Sequence, residues 1–594
     1  MQTQEFISDD VRAASSTLGY LLMISIVFVS AGAIVVVGGG AISQSQEAAN
    51  QDAADQAMTQ FDSQMSLVAF DGSSKQTVDL SVNNDEQIKT IDQGHITLEL
   101  KEINETHPSQ TTTIATIIDR DMGTLVYETG SEYTVAYQGG GVWGIRNGNV
   151  NKTSLVSPPE FTFNDGTGTL PFVGVDSNSE VTSSNGRITM SKTQSEGLFP
   201  KNGAGTAYQN PVDSKNDLVL TIQSKYYRAW GEYFSDRLEV APQYDHSTNT
   251  VTLVLASGDE STPVDRAILS TGGDNRIEIN GQGGDTFVDS YNSSNGPYSA
   301  SQSNSGIIAA ESGFDMSSGA EVRGQVITEG DLILSGNSVV DGDATVNGNV
   351  VENGGGSEVT GDTTNGADIN APRPTDRIIE SVYNDLKDNN DNNNASKIEN
   401  GSISATRVLD MSNDPTVSAG EYHLSEFNVG NNENVTFDLQ NGDIRIIVDD
   451  DVMMDRGDIN VVNTAGNDNR VQIFTRGDEI KFDRSKVSVE GDDSTAMWFY
   501  GGAGTYMELH KSTVTGVLYA PGTDAIPGEL VIETQSKLKG GAISGDTTIR
   551  AKSKVHYDQS LQTADAFDEQ AHLDYISARI QYFHVSYTEV EIED

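Results

Sequence analysis

The stretch GDLILSGNSVVDGDATVNGNVVEN, residues 330–353, decides the fold, because its glycines stand six apart and its text stacks as GDLILS, GNSVVD, GDATVN and GNVVEN. With Gly324 included, the glycines fall at 324, 330, 336, 342 and 348. The third and fifth places between them are largely small or apolar: Leu332 and Leu334, Ser338 and Val340, Ala344 and Val346. Glycines at that interval mark where a chain must turn, and the pair between turns marks an inward face. Such a six-residue period is the signature of a β-solenoid. The repeat amounts to about two or three coils, so it is expected to flank a larger β-helix and not to stand as a domain alone.

C-terminal to the repeat, Ala371-Pro372-Arg373-Pro374 makes a break, and Ile378, Ile379, Val382 and Leu386 predict a short helix. From 401 to 563 the chain alternates apolar and polar residues in NVTFDL, DIRIIV, DINVVN, RVQIFT, KVSVEG, AMWFYG, GVLYAP, ELVIET and TTIRAK. This spacing suits a parallel β-helix, where each rung pairs with those above and below. N-terminal to the repeat, residues 71–300 read as strands between turns, with TVDLSV, HITLEL and TVTLVL alternating, and YTVAYQ and VWGIRN forming a hairpin around Gly139–Gly141. Gly139, Gly141 and Gly144 satisfy GxGxxG formally, but a strand follows, so no helix N-terminus is on offer to a phosphate. In DLVLTIQSKYYRAWGEYFSDRLEVAP, the aromatics Tyr226, Tyr227, Trp230, Tyr233 and Phe234 recur at helical spacing, the mark of a core-facing stripe more often than of a ligand-stacking face.

At the N-terminus, Leu18–Val37, LGYLLMISIVFVSAGAIVVV, is uncharged and mostly apolar, long enough to span a bilayer as a helix. No second segment of that kind follows, so one anchor is expected to hold one hydrophilic body. The leader MQTQEFISDDVRA sets Glu5, Asp9 and Asp10 against Arg12 alone, unlike a secretory signal peptide with its basic n-region. Gly38–Gly40 form a break, and 41–68 read as helix again through Ala49, Ala53, Ala57, Phe61 and Met65, either a stalk packing on neighbours or a helix resting on its own β-domain.

The junction Arg12-Ala13 followed by Ala14-Ser15-Ser16-Thr17-Leu18-Gly19 resembles the archaeal type IV prepilin signal, departing from it at Ser16, where many members have proline. That resemblance implies cutting by a prepilin-type peptidase between Ala13 and Ala14, with the pilus assembly machinery and other pilins as partners. The aromatic segment 217–242 is similar to haloarchaeal pilin-like surface proteins. The glycine repeat resembles the polymer-forming bactofilins. VTGVLYAPGT and KLKGGAISGDTTIRAKSKVHYDQSL (537–561) resemble the C-terminal β-helical region of pilus-associated surface proteins.

The fold expected is therefore mainly β, with a transmembrane, pilin-like helix, a β-rich stem and a single-stranded parallel β-helix head. Its divisions are a leader at 1–13, anchor and stalk helix at 14–70, stem at 71–300, glycine-periodic solenoid at 301–371, short helix and Asn/Asp-rich loop at 372–400, and β-helix at 401–563. The final segment, 564–594, contains ARIQYFHVSYTEVEI, one long alternating strand expected to return to the stem.

Composition narrows function. The chain carries 87 acidic against 36 basic residues, a formal charge of -51, and no cysteine. Disulfides and thiolate metal sites are excluded, and nucleic acid is disfavoured because no basic patch stands out to neutralise phosphates. Sparse lysine beside abundant Asp and Glu looks like a halophile's surface, since at about 1 M salt the Debye length falls to roughly 3 Å and self-repulsion is screened. Asp388, Asn390, Asn392, Ser396 and Glu399 fall at positions 1, 3, 5, 9 and 12 of a calcium loop, but Asn393 stands where glycine is needed, and a solvated polar loop reads better. Asp449, Asp450, Asp451, Asp455 and Asp458 form the nearest acid cluster to that of a polysaccharide-active enzyme, without a neighbouring Arg or Lys pair in the text to bind a uronate. The eight histidines are scattered, with neither HExxH nor GxSxG. Sequons at Asn104, Asn151, Asn292, Asn394, Asn400 and Asn434 are compatible with a glycosylated exterior. The expectation is a non-enzymatic, single-pass cell-surface protein with an extracellular body, a minor pilin or adhesin meeting glycans, other pilins or copies of itself. A β-helical enzyme or a partner-binding module of the secretion machinery is the alternative.

Overall fold

The computed structural model describes residues 48–593 apart from 71, 81–86, 92, 130–132, 165, 177–180, 184–185, 202, 204, 206–207, 213–215, 239, 241, 257–263, 273–275, 283–284, 467, 568–579 and 581. The apolar stretch Leu18–Val37 and the junction Arg12-Ala13-Ala14 lie outside the described residues. Among those described, no helix is long and apolar enough to cross a membrane. The protein is mainly β, with its strands divided between a stem of mostly antiparallel ladders and a long, mostly parallel stack.

In the stem, the helix 48–69 buries Ala54, Met58, Phe61, Met65 and Val68, a stripe at three- and four-residue spacing, against Val78, Ile88, Leu125, Tyr137 and Ile188. It rests on its own β-domain. His95–Ile103 turns Ile96, Leu98 and Leu100 inward and pairs antiparallel with Asn216–Gln223, Leu98 opposite Leu220. The helix Tyr227–Leu238 closes this core with Tyr227, Trp230, Tyr233 and Phe234, and the Trp230 ring lies 4.2 Å from that of Trp143. The aromatic stripe is core. Tyr133–Gln138 and Gly141–Arg146 form an antiparallel hairpin through Gly139 and Gly140, whose φ of +66° and +93° suit a type I′ turn. The last strand, Tyr582–Glu593, runs through the middle of a stem sheet, parallel to Thr167–Val175 and antiparallel to Arg187–Phe199.

The stack follows one column of side chains. Phe427, Val452, Ile480, Met507, Leu530 and Thr547 lie in register on successive parallel strands. Thr547 then pairs with Ile277, and the column continues through Phe314, Leu332 and Val350. All but Val350 are buried. Two chain segments thus make one continuous body: the last turn of the later segment sits on the first turn of the earlier one. In the glycine repeat Phe314, Leu332 and Val350 stand on successive turns, so each turn takes three of the units between glycines and has three faces. Leu332, Leu334, Ser338, Val340, Ala344 and Val346 all point into the core. Gly324 has φ +143°, and a Cβ there would stand 2.0 Å from the Gly306 carbonyl oxygen on the neighbouring turn, so the corner closes only without a side chain.

Another corner is held by hydroxyls. The Ser485 N–H donates to Ser512 Oγ, that of Ser512 to Ser536 Oγ, and that of Ser536 to Ser553 Oγ, at 3.0, 3.1 and 3.2 Å. The Lys552 N–H then donates to Thr286 Oγ1 across the join between the two segments. All five hydroxyl side chains are buried, and from Ser512 onward each supplies the acceptor that a corner N–H on the adjacent turn would otherwise lack.

Candidate functional site

Between the two segments the chain runs back along the stack. Asp376–Leu386 forms a helix that buries Ile379, Val382 and Leu386 against strands Gly420–Leu424, Ile444–Val448 and Val471–Thr475. The helix brings Glu380 and Tyr383 to a corner where Asp449 and Arg476 occupy equivalent places on adjacent turns, each just past a paired strand end. Arg476 lies 3.7 Å from Asp449 Oδ1 and 3.5 Å from Glu380 Oε2, with its guanidinium 3.8 Å over the Tyr383 ring. Arg407, from the preceding loop, donates to Asp449 Oδ2. His423 Nε2 lies 2.9 Å from Asp449 Oδ1, and the buried His423 ring meets the edge of Tyr383. The Nδ1 of His423 has no partner among the described residues.

The structure therefore corrects one reading of the sequence: two arginines do stand at the aspartate cluster. One comes from well upstream of Asp449 and the other from the turn that follows it, and only the parallel register brings them together. The cluster itself does not converge. Asp451 caps the Glu479 N–H, Asp455 pairs with Arg456, and the Asp450 carbonyl accepts from Thr475. Arg476, shared between Asp449 on the stack and Glu380 and Tyr383 on the helix, ties the crossing helix to the stack.

The proposed calcium-loop residues fall at the end of that crossing segment. Asn390 Nδ2 donates to the Leu386 carbonyl, and Asn392 exchanges two hydrogen bonds with the His423 backbone. Ser396 donates to Asn394 Oδ1, and Glu399 lies on Ile398–Glu399, paired antiparallel with Thr416–Ser418. The Asn392 amide fastens the loop to the stack, while that of Asn390 closes the helix end. Among the described residues, no three His, Asp or Glu side chains are grouped to hold a metal ion. None of the six sequon asparagines is buried.

Two further constellations were invisible in the text. His556 and Asp289, from the two ends of the stack's sequence, pair at 2.5 Å on adjacent turns, and Tyr298 donates to the other Asp289 oxygen while its ring lies 3.9 Å from that of His556. Burial holds the His556 imidazole below its ordinary pKa, opposed by Asp289. At the joint between stem and stack, Arg373 and Arg377 both reach the fully buried Asp217, and Arg373 also donates to the Asn216 carbonyl at 2.7 Å. A cavity of about 190 Å³ opens beside it, lined by Glu102, Glu105, Glu311, Ile369 and Thr523.

Residues 12–269 match the model of a family of unknown function (DUF7289), and residues 357–564 match a domain of unknown function (DUF7305). No curated protein matches. Among solved structures, a glycosylated ice-binding protein (LeIBP) from an Arctic yeast is 12% identical over 50% of this chain and 91% of its own, with a TM-score of 0.19. The competence-associated pilin ComZ from Thermus thermophilus is 12% identical over 70% of this chain and 86% of its own, with a TM-score of 0.23. At these scores neither likeness bears on function.

Proposed function

We propose that this chain is a membrane-anchored cell-surface protein of a halophilic archaeon, a minor pilin or pilus-associated adhesin, whose parallel stack is a β-helical head carried on the stem. The observation that supports this most is where the helix 48–69 and the strand Tyr582–Glu593 meet. The helix 48–69, which follows the apolar N-terminal stretch in sequence, and the last strand, Tyr582–Glu593, both belong to the stem. The stack leaves the stem after Thr250–Ala256 and returns to it before that last strand, so an anchor at one end would leave the stack's long faces free. Its work would be display, with the peptidase and pilus machinery as partners in assembly. N-terminal mass spectrometry of the membrane-extracted protein, with and without the prepilin peptidase, tests the reading. A peptidase-dependent start at Ala14 is expected, and an intact leader in both strains would remove the pilus assignment.

A second reading, a polysaccharide-active head, is favoured by Arg407 and Arg476 beside Asp449. Release of sugars from an acidic polysaccharide by the full chain, lost in Asp449→Asn, would establish it over the first.

A further inference from the structure

Lysine is unevenly placed on the stack. None occurs between Lys225 and Lys387, yet seven fall between 481 and 554. The parallel register gathers six of them on one edge. Lys486, Thr513, Lys537 and Lys554 succeed one another at the same place on four adjacent turns. Lys511 and Lys552 occupy the corner positions beside them, and Lys539 follows Lys537 on the same strand. Lys539 pairs with Asp492, whereas Lys486, Lys511, Lys537, Lys552 and Lys554 have no ion pair among the described residues, and all but Lys554 are exposed. In a chain with a formal charge of -51, five cations without an ion pair among the described residues on one edge, one of them, Lys554, lying 4.6 Å over the Phe287 ring, are a departure from the rest of the surface.

The same four turns carry an opposite ladder on the ten-stranded face. Glu479, Tyr506, Glu529 and Asp546 lie in register there, with Glu508 and Glu533 on the same strands. Glu479 is paired with Lys481 and Glu533 with Arg550, whereas Glu508 and Glu529 have no ion pair among the described residues. Burial, then repulsion from Asp546, raises the Glu529 carboxyl above its ordinary pKa, as expected of an acid crowded by like charge.

Because both ladders belong to the same turns, they share one axial repeat, the strand spacing of about 4.8 Å. We propose that the lysine edge of one copy docks on the acidic face of a second copy, axes parallel, turn against turn. The contact is heterologous, so it leaves a free edge and a free face and extends laterally. Net repulsion between copies opposes it at low ionic strength. At about 0.15 to 1 M salt that long-range repulsion is screened, while touching pairs persist. The proposal is independent of the anchoring reading, which the mature N-terminus tests separately.

The experiment is sedimentation velocity of the full-length chain in detergent across that salt range, with two charge-reversed variants. Self-association of the wild type is expected, together with a loss of roughly tenfold or more in each variant alone, Lys537→Glu/Lys554→Glu and Glu508→Lys/Glu529→Lys, as a few surface pairs would supply. Mixing the two variants should restore association, since each then meets a complementary ladder, and restoration excludes misfolding as the cause of loss. A monomeric wild type at every salt, variants that associate like the wild type, or a mixture that stays monomeric would each overturn the proposal. Retention of a monomeric wild type on an immobilised sulfated polysaccharide, lost in the lysine variant, would assign the edge to an acidic glycan instead.

Discussion

In the stem, the Phe172 ring stacks on that of Tyr587, from the far end of the chain, at 6.1 Å. In the glycine repeat of the stack, Phe314 meets Leu332 and Leu332 meets Val350, each on the very next turn. The stem buries large aromatics through contacts between segments far apart in the chain, and it stands or falls with its most distant partner. The stack buries a column of mostly aliphatic side chains through contacts between neighbouring turns, so its stability is close to a sum over turns and their interfaces. A single join, Thr547 on Ile277, departs from that local rule.

The sharpest way to break the comparison is to end the chain after residue 579. The lost strand buries Phe583, Val585, Tyr587, Val590 and Ile592, together worth about 10 kcal/mol, comparable with the whole stability of a domain. Calorimetry should show the stem transition gone and the stack transition kept, whereas survival of both would mean that the strand is dispensable. A smaller effect, about 3 to 5 kcal/mol, is expected from Asp217→Asn, which leaves Arg373 and Arg377 without their buried carboxylate. Amide exchange should quicken at 216–218 and 372–377 before it does elsewhere, and uniform exchange across both bodies would argue that the joint carries no load.

The third change has the opposite sign. Asp62, on the helix 48–69, is buried against Ser157, and burial, opposed by the Ser157 hydrogen bond and reinforced by Glu160, raises its carboxyl from 3.8 to about 6. The folded stem therefore holds this proton to higher pH than the unfolded chain. Stability from this group is full below about pH 4, falls as pH rises towards about 6, and is flat beyond. Asp62→Asn should stabilise the stem at pH 7 by up to about 3 kcal/mol and flatten its melting temperature between pH 4 and 7. Parallel pH profiles for variant and wild type would show that Asp62 does not titrate in this range.

Much of the β content was legible because alternation is local. HITLEL and TVTLVL lie within strands whose inward residues are the apolar ones. The glycine period was legible because those turns are uniform. The later segment hides its period: Phe427, Val452, Ile480, Met507, Leu530 and Thr547 follow one another at unequal intervals, since the corners between them differ in length. The arginines on Asp449, the pair His556 and Asp289, and the lysine edge were illegible for the same reason. Serines at irregular intervals make no motif in text, yet Ser485, Ser512, Ser536 and Ser553 form one ladder.

The order in which the two segments stack has a consequence in time. Synthesis delivers the chain from its N-terminus, and domains generally fold as they emerge. Here the turn at Ile268–Tyr291, covered on one side by the turn that follows it, lacks its other neighbour until Lys537–Asp558 has appeared, and the stem sheet lacks its middle until Tyr582–Glu593 arrives. Neither body can be finished early. A chain ended before Lys537 would therefore expose an open strand edge in both bodies at once, a template for pairing with other chains.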